Sequence, residues 1–110
     1  MKTRTAHVLT PNADRYIARL CRHFSHKVPA SWEKQQGEIR FPMGTCHLHA
    51  SDTTLRLRSD ANDNNNLEQL CQVVGSHLER FAAGAKEAEE LTVVWGETSD
   101  SGTEGEATNG

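Results

Sequence analysis

The chain has 110 residues, of which 35% are hydrophobic, and its formal net charge is −3 with histidine neutral. This length fits one domain, and no apolar run is long enough to cross a bilayer. The N-terminus lacks the apolar stretch of a secretory signal, and three cysteines cannot form a complete set of disulfides. We therefore expect a cytoplasmic protein with reduced thiols and no contact with a membrane.

The last fifteen residues differ in composition from the rest. Residues 96–110 read GETSDSGTEGEATNG and contain no large apolar side chain. Such a segment cannot bury enough surface to offset its ordering entropy. The sequence therefore predicts a single α+β domain over residues 1–95 and a disordered acidic tail over residues 96–110.

Charge argues against a nucleic-acid partner. The tail contains four carboxylates and no Lys or Arg, so removing those four negative charges from −3 leaves +1 for the folded part. A dedicated nucleic-acid binder carries a basic excess on one face. A nearly neutral domain lacks that excess, and we expect no binding to nucleic acid.

The first part of the chain predicts a strand followed by a helix. Residues 3–9 read TRTAHVL, which suits a short strand. Thr10 or Asn12 is a candidate helix cap, and Pro11 is tolerated in a first turn. Pro29 ends the helix, because the residue before a proline is disfavoured in the α region. The apolar stripe of this helix is Ile17, Leu20, Cys21 and Phe24.

Residues 30–36, which include Trp32, are predicted as a loop.

The middle of the chain alternates polar and apolar residues three times. Residues 38–41, 45–50 and 53–58 show this pattern and are separated by short turns, which predicts an antiparallel meander. A second helix follows at about residues 67–82, with Gly84 as its stop, and LTVVW at 91–95 predicts a closing strand. The apolar stripe of the second helix is Leu67, Leu70, Cys71, Val74, Leu78 and Phe81.

These elements follow the order β-α-β-β-β-α-β. Alternation within the strands means that one sheet face is buried and the other is wet. Two amphipathic helices can cover the buried face. The sequence therefore predicts a two-layer α+β sandwich, with a mainly antiparallel sheet and both helices on one face.

Three cysteines occupy predicted core positions. Cys21 and Cys71 lie on the apolar stripes of their helices, and Cys46 alternates with Leu48 and Ala50. Inward-facing thiols would suit a thiolate metal site, but free cysteine is also a common buried residue. We favour the second interpretation, because no cysteine pair has the close spacing of a zinc site.

Histidines and cations flank the apolar stripes of both helices. Cys21 and His23 face opposite sides of a helix, at about 100° per residue, so the C-x-H-x-x-H pattern cannot close on one ion. His23 and His26 are neighbours at a spacing of three. They suit either a polar helix end or two ligands of an incomplete metal site. His23 and Lys27 on one helix, with His77 and Arg80 on the other, are predicted to converge where the helices meet.

A second polar group lies on the predicted wet face of the sheet. His47 and His49 alternate outward, and Arg40, Arg56 and Arg58 share that face if the meander pairs as predicted, with His7 as a further candidate. This surface would suit an anion, a metal or a second subunit, but a solvated face is the default for an antiparallel sheet.

Three separated blocks resemble the bacterial family known as domain of unknown function 2218. They are RYIARLCRHFSHK at 15–27, IRFPMGTCHLHA at 39–50, and SHLERFA at 76–82 followed by LTVVW at 91–95. The resemblance extends from about residue 4 to residue 95 and implies a compact bacterial domain. Its members are associated with siderophore and iron-uptake proteins, in some cases joined to a siderophore-interacting flavin reductase. The recurrent polar positions of the family match Cys21, His23, His26, Lys27, His77 and Arg80, whereas His47 and His49 fall at more variable positions.

Three hypotheses about function follow from different classes. The first is a small binding or accessory domain in siderophore or iron metabolism. Its partner would be a siderophore-related protein or a small anionic ligand. The second is a homodimeric interaction domain that uses the open sheet face. The third is an enzyme with a histidine acid or base, which we rank lower because the sequence lacks a nucleophile motif or paired carboxylates.

No cofactor is expected, and the sequence leaves the identity of any metal open. The candidate ligand-binding residues are His23, His26, Lys27, His77 and Arg80.

Overall fold

The structure is a computed structural model that describes residues 1–84 and 88–100. Two helices and six strands make up this part of the chain. They are β1 (Lys2–Leu9), α1 (Ala13–Phe24), β2 (Ala30–Trp32), β3 (Gln36–Phe41), β4 (Gly44–Ala50), β5 (Thr54–Ala61), α2 (Asn64–Ala83) and β6 (Ser99–Asp100). None of the helices in the described ranges has both the length and the apolarity needed to cross a membrane.

The strands form one antiparallel sheet in the order β2-β3-β4-β5-β1-β6. The predicted meander corresponds to β3, β4 and β5, and the predicted α+β class and element order are confirmed. One short strand was missed. β2 lies within the predicted loop, and its three residues pair with β3.

Both helices cover the same face of the sheet. α1 packs chiefly on β2, β3 and β4, whereas α2 packs chiefly on β5, β4 and β1. Alternate strand residues enter the core between these layers, and Ile39, Leu55 and Leu57 are fully buried there. The predicted helix stripes are buried as well, except that Phe81 remains partly exposed. The amphipathic pattern therefore decides which face of each element is covered.

The first residue of α2 lies three positions before the predicted start. Asp63 caps the helix, since its carboxylate accepts the backbone N–H of Asn66 at 2.8 Å. An aspartate cap satisfies one of the free N–H groups of the first turn. The asparagines at 64–66 therefore belong to the helix and not to the preceding loop.

The LTVVW segment keeps a strand-like alternation without forming a strand. Leu91, Val93 and Trp95 are partly buried, while the residues between them are exposed. Only Trp95 forms a bridge, with Ala6 of β1. The segment packs against α2 at Gly75, where an added Cβ would lie 3.2 Å from the Trp95 indole nitrogen. A small residue on the helix therefore allows this close approach.

Terminal strand pairing occurs later in the chain than predicted. Gly96 N–H donates to the Thr5 carbonyl at 2.8 Å, and Ser99 pairs with Thr3 in β1. Residues 96–100, assigned to the tail on composition, thus lie along β1. Residues 101–110 lie outside the described residues, so the prediction of a disordered tail there stays a prediction.

All three cysteines are free thiols in the core. Burial raises the pKa of Cys21 to about 11 and that of Cys46 to about 12, and it also raises the pKa of Cys71. Ser59 is fully buried, and its hydroxyl partly opposes the rise in pKa at Cys46 and Cys71. That hydroxyl has no hydrogen-bond partner within the described residues. The thiols are therefore protonated at neutral pH.

Candidate functional site

His23 of α1 and His77 of α2 meet where the two helices touch. Their ring centroids lie 5.3 Å apart with an interplanar angle of 44°. His23 follows the buried stripe of α1 near its C-terminal end, and His77 borders the stripe of α2. The predicted convergence of the two helix flanks is therefore present in the fold.

Phenylalanine rings hold the two imidazoles in place. Phe24 lies 4.9 Å from His77 and packs in turn on Phe41 of β3, also at 4.9 Å between centroids. His23 contacts Phe24 at 4.9 Å and Phe81 at 5.2 Å, both in edge-on arrangements. Edge-to-face packing of this kind fixes ring orientation beyond what burial alone achieves.

A backbone hydrogen bond sets the tautomer of His77. Its Nδ1 lies 2.7 Å from the Val73 carbonyl oxygen, one turn earlier in α2. A carbonyl can only accept, so Nδ1 carries the proton and donates. In the neutral ring, Nε2 is then the atom left to accept a proton, a hydrogen bond or a metal.

The pKa of His23 is lowered from its ordinary value of 6.5. Partial desolvation is the largest cause, and positive neighbours lower it further. These neighbours are His77, His26, Lys27 and Arg80. The other four predicted site residues thus act electrostatically on His23, and we call the five residues the seam cluster.

Within the described residues, no carboxylate forms an ion pair with a member of the seam cluster. Glu79 lies next to Arg80 in α2, but its Oε2 accepts the backbone N–H of Val93 at 2.8 Å. The ion pairs in this part of the chain involve other residues. Positive charge at the cluster is therefore left to solvent or to an external anion.

A concavity of about 580 Å³ opens beside His23. Three arginines of α1 line it, and we call Arg15, Arg19 and Arg22 the arginine row. The guanidinium carbon of Arg19 lies 4.9 Å from the centroid of the Phe81 ring, at cation–π distance. The remaining lining residues are Ala18, His23, His26 and Phe81.

The arginine row was missed in the sequence. Arg15, Arg19 and Arg22 recur at spacings of four and three, which places them on one helix face. The same helical spacing that indicates an apolar stripe therefore indicates a cationic face here. His77, Lys27 and Arg80 do not line the concavity, so the open space lies on the α1 side of the seam cluster.

A profile of the family described as "Uncharacterized protein conserved in bacteria (DUF2218)" matches residues 5–96. The chain belongs to the DUF2218 family. The solved NMR structure of PA4090 from Pseudomonas aeruginosa is similar to this DUF2218 domain, with 31% identity and a TM-score of 0.71. The match covers 87% of this chain and 96% of PA4090. No curated protein sequence matches the chain.

On the other face of the DUF2218 domain, the cross-strand register groups the outward histidines and arginines. Arg56 of β5 is paired with His7 on one side and with His49 on the other. In the next row, His47 lies opposite Arg58, and both approach the Asp60 carboxylate, at 3.4 and 3.3 Å. Arg40 pairs with Glu38 at 3.4 Å. This face is therefore partly self-neutralised, unlike the seam cluster.

The described residues contain no group of three or more His, Cys, Asp or Glu side chains arranged to hold a metal ion. The seam cluster has three imidazoles, those of His23, His26 and His77, and the contacts of His23 and His77 are with aromatic rings and, for His77, with the Val73 carbonyl. A metal at this position would need additional ligands from outside the described part of the chain.

Proposed function

We propose that this DUF2218 domain binds a small anionic ligand at the seam cluster. The observation that carries the proposal is the 5.3 Å contact between His23 and His77 amid cations that have no carboxylate partner in the described residues. The Lys27 ammonium and the Arg80 guanidinium would donate charge-assisted hydrogen bonds to the ligand.

Crowded cations raise the free energy of the empty site. Each positive group disfavours charge on its neighbours, and this repulsion adds to desolvation, the largest cause of the lowered pKa of His23. A bound anion would reverse this effect, because an opposite charge within a few ångströms favours the charged form. Ligand binding should therefore raise the pKa of His23 and be accompanied by proton uptake.

A siderophore is the candidate ligand suggested by the family association with iron uptake. Catecholate and hydroxamate iron chelates present anionic oxygen atoms, which suit Lys27 and Arg80 as hydrogen-bond donors. A bare ferric ion fits less well, because hard metal ions prefer oxygen ligands. The cluster offers imidazole and cationic nitrogen instead. We accordingly propose recognition of the anionic chelate through its outer oxygens.

An acid or base role for a histidine is less well supported. His77 donates Nδ1–H to the Val73 carbonyl, which orients Nε2, but no hydrogen bond from a nucleophile to Nε2 is present in the described residues. The nearby hydroxyls of Ser25 and Ser76 donate to backbone carbonyls, and Glu79 accepts the Val93 N–H, so none of them pairs with an imidazole. Binding therefore accounts for the group better than catalysis does.

Chemical-shift titration tests the proposal. We would add gallium-loaded catecholate and hydroxamate chelates, which are diamagnetic, and follow the ring protons of His23 and His77. Binding should shift both rings, and Lys27→Gln and Arg80→Gln should each weaken it. Arg56→Gln, on the opposite sheet face, is the matched control. Ring signals that stay unchanged for both chelates and for simple anions would exclude an anion site at the seam.

The open sheet face supports a second candidate, a homodimer. In the described residues, both helices lie on the other face, and Leu9 is 77% exposed at the end of β1. Paired sheet faces would cover this surface in a two-fold dimer. Sedimentation equilibrium of the wild type and of Leu9→Lys tests this arrangement. A monomer at all concentrations for the wild type would exclude it.

A further inference from the structure

The concavity beside the seam cluster combines two surfaces of different chemistry. Its floor is apolar and aromatic, since Phe81 packs on the His23 ring at 5.2 Å and Ala18 adds only a methyl group. Its wall is the arginine row, whose charge is permanent. A volume of about 580 Å³ lies within the usual range for one small organic molecule.

The arginine row is available to a ligand. Arg15, Arg19 and Arg22 are exposed, and no carboxylate in the described residues pairs with them. Along a helix with a rise of 1.5 Å per residue, the row spans about 10 Å. Guanidinium groups bind carboxylates through two parallel hydrogen bonds. The row would therefore accept more than one acidic group on a single ligand.

The floor favours a flat ring over a flexible acid. The guanidinium of Arg19 lies over the Phe81 ring at 4.9 Å from its centroid, so this ring face accepts a planar partner. A ligand ring would take the place of Arg19 there as Arg19 turns to pair with an acidic group of the ligand. In the empty site His23 is predominantly neutral above pH 6.5, because its pKa is lowered, so it offers an aromatic surface to an arriving ligand. Offset stacking of aromatic rings is favourable beyond the area that it buries.

From these two surfaces we infer that the ligand is a planar aromatic acid with at least two neighbouring acidic groups. Its ring would lie on Phe81 and His23, and its acidic groups would pair with the arginine row. This inference rests on the proposed function and narrows it to one ligand class. It also moves the centre of the site from Lys27 and Arg80 to the outer face of α1.

Three probes of known composition test the inference at equal ionic strength. Phthalate has a ring and two adjacent carboxylates, benzoate has a ring and one carboxylate, and citrate has three carboxylates without a ring. We expect phthalate to bind at least about tenfold more tightly than either of the others, with upfield shifts of Phe81 and His23 ring protons. Citrate binding as tightly as phthalate would overturn the inference.

Two sets of variants separate this inference from the proposed function. Arg19→Gln and Arg22→Gln should each weaken phthalate about tenfold or more, the loss expected for a hydrogen bond to a charged group. Phe81→Leu should abolish the preference for phthalate over citrate. Arg56→Gln on the opposite sheet face is the control, and dispersed amide spectra verify folding.

The outcomes are distinguishable. If Lys27→Gln and Arg80→Gln weaken anion binding while the arginine-row variants do not, the proposed function stands and this inference fails. If none of the three probes shifts His23 or His77, the inference fails as well, and only the gallium chelates can then sustain the proposed function.

Discussion

His77 of α2 approaches His23 of α1 to 5.3 Å between ring centroids, although 54 positions separate them in the sequence. The contact exists because each residue borders the buried apolar stripe of its helix. Both stripes pack on one sheet, and this brings the neighbouring flanks of the two helices together. It also links the two helices electrostatically, since protonation of one ring disfavours protonation of the other.

The first prediction follows from this coupling. His77→Gln removes one of the positive neighbours that lower the pKa of His23, so that pKa should rise toward 6.5. An NMR titration of the His23 ring protons measures the change, and His49→Gln on the sheet face is the control. An unchanged or lower pKa in His77→Gln would show that the rings do not interact.

The same shift predicts how stability depends on pH. Because the folded pKa of His23 is below 6.5, the unfolded chain binds more protons as the solution is acidified. The stabilising effect is fully present above about pH 6.5 and is lost as pH falls through the folded pKa. Urea unfolding between pH 7 and 5 should therefore show a smaller loss of stability for His23→Gln than for the wild type. An equal loss in both proteins would contradict this linkage.

Gly37 of β3 lies at a close approach of α1 to the sheet. A Cβ at this position would lie 2.9 Å from both the Cys21 sulfur and the Ile17 Cγ2 atom. Both side chains are fully buried and have no space to retreat. Gly37→Ala should therefore destabilise the fold by about 1–3 kcal/mol, as overpacking does.

Chemical denaturation of Gly37→Ala measures this loss. Gly84→Ala is the matched control, because the nearest atom to its added Cβ is the Arg80 carbonyl oxygen at 3.6 Å, an ordinary contact. A Gly37→Ala midpoint equal to that of the wild type would mean that α1 lies farther from the sheet.

Cysteine labelling tests the burial of the core. At pH 8 the thiols of Cys21 and Cys46 are protonated, because burial raises their pKa values to about 11 and about 12. Since the thiolate is the reactive form, labelling of the folded protein should be limited by unfolding. All three cysteines should react quickly in denaturant. Rapid labelling of Cys21 in the folded state would contradict the assigned helix face.

Periodicity predicted the covered faces well because burial acts on every turn of a helix or every second residue of a strand. The stripe from Ile17 to Phe24 and the alternation around Cys46 are both buried as predicted. The family resemblance also indicated the residues of the seam cluster. Their convergence could be predicted because two helices that cover one sheet face lie side by side.

Other features depend on information that a local pattern lacks. LTVVW alternates as a strand does, but its inward residues pack on α2, and only Trp95 bridges to β1. The start of α2 depends on which residue of DANDNNN caps it, and Asp63 is one of several polar candidates there. Predicting the concavity beside Arg19 would require knowing the position of Phe81, which belongs to the other helix.

The last prediction concerns Glu89, which joins the segment after α2 to the start of α1. Its carboxylate accepts the Tyr16 hydroxyl at 2.5 Å, the Thr10 hydroxyl at 2.9 Å and the Asn12 amide at 3.1 Å. The hydrogen bond from Tyr16 is the largest cause of the lowered pKa of Glu89. The same contact contributes, after burial, to a Tyr16 pKa of about 12.

Replacing Glu89 should release this segment from the domain. Because the folded pKa of Glu89 is lowered, its contribution is present above about pH 4.5 and is lost as pH falls through the folded value. Glu89→Gln should therefore remove that contribution at neutral pH, cost about 1 kcal/mol, and speed amide exchange at residues 91–96. The exposed neighbour Glu90 provides the control Glu90→Gln. If both variants exchange these amides at the wild-type rate, the segment is held by Trp95 and Val93 packing on α2, and Glu89 is dispensable.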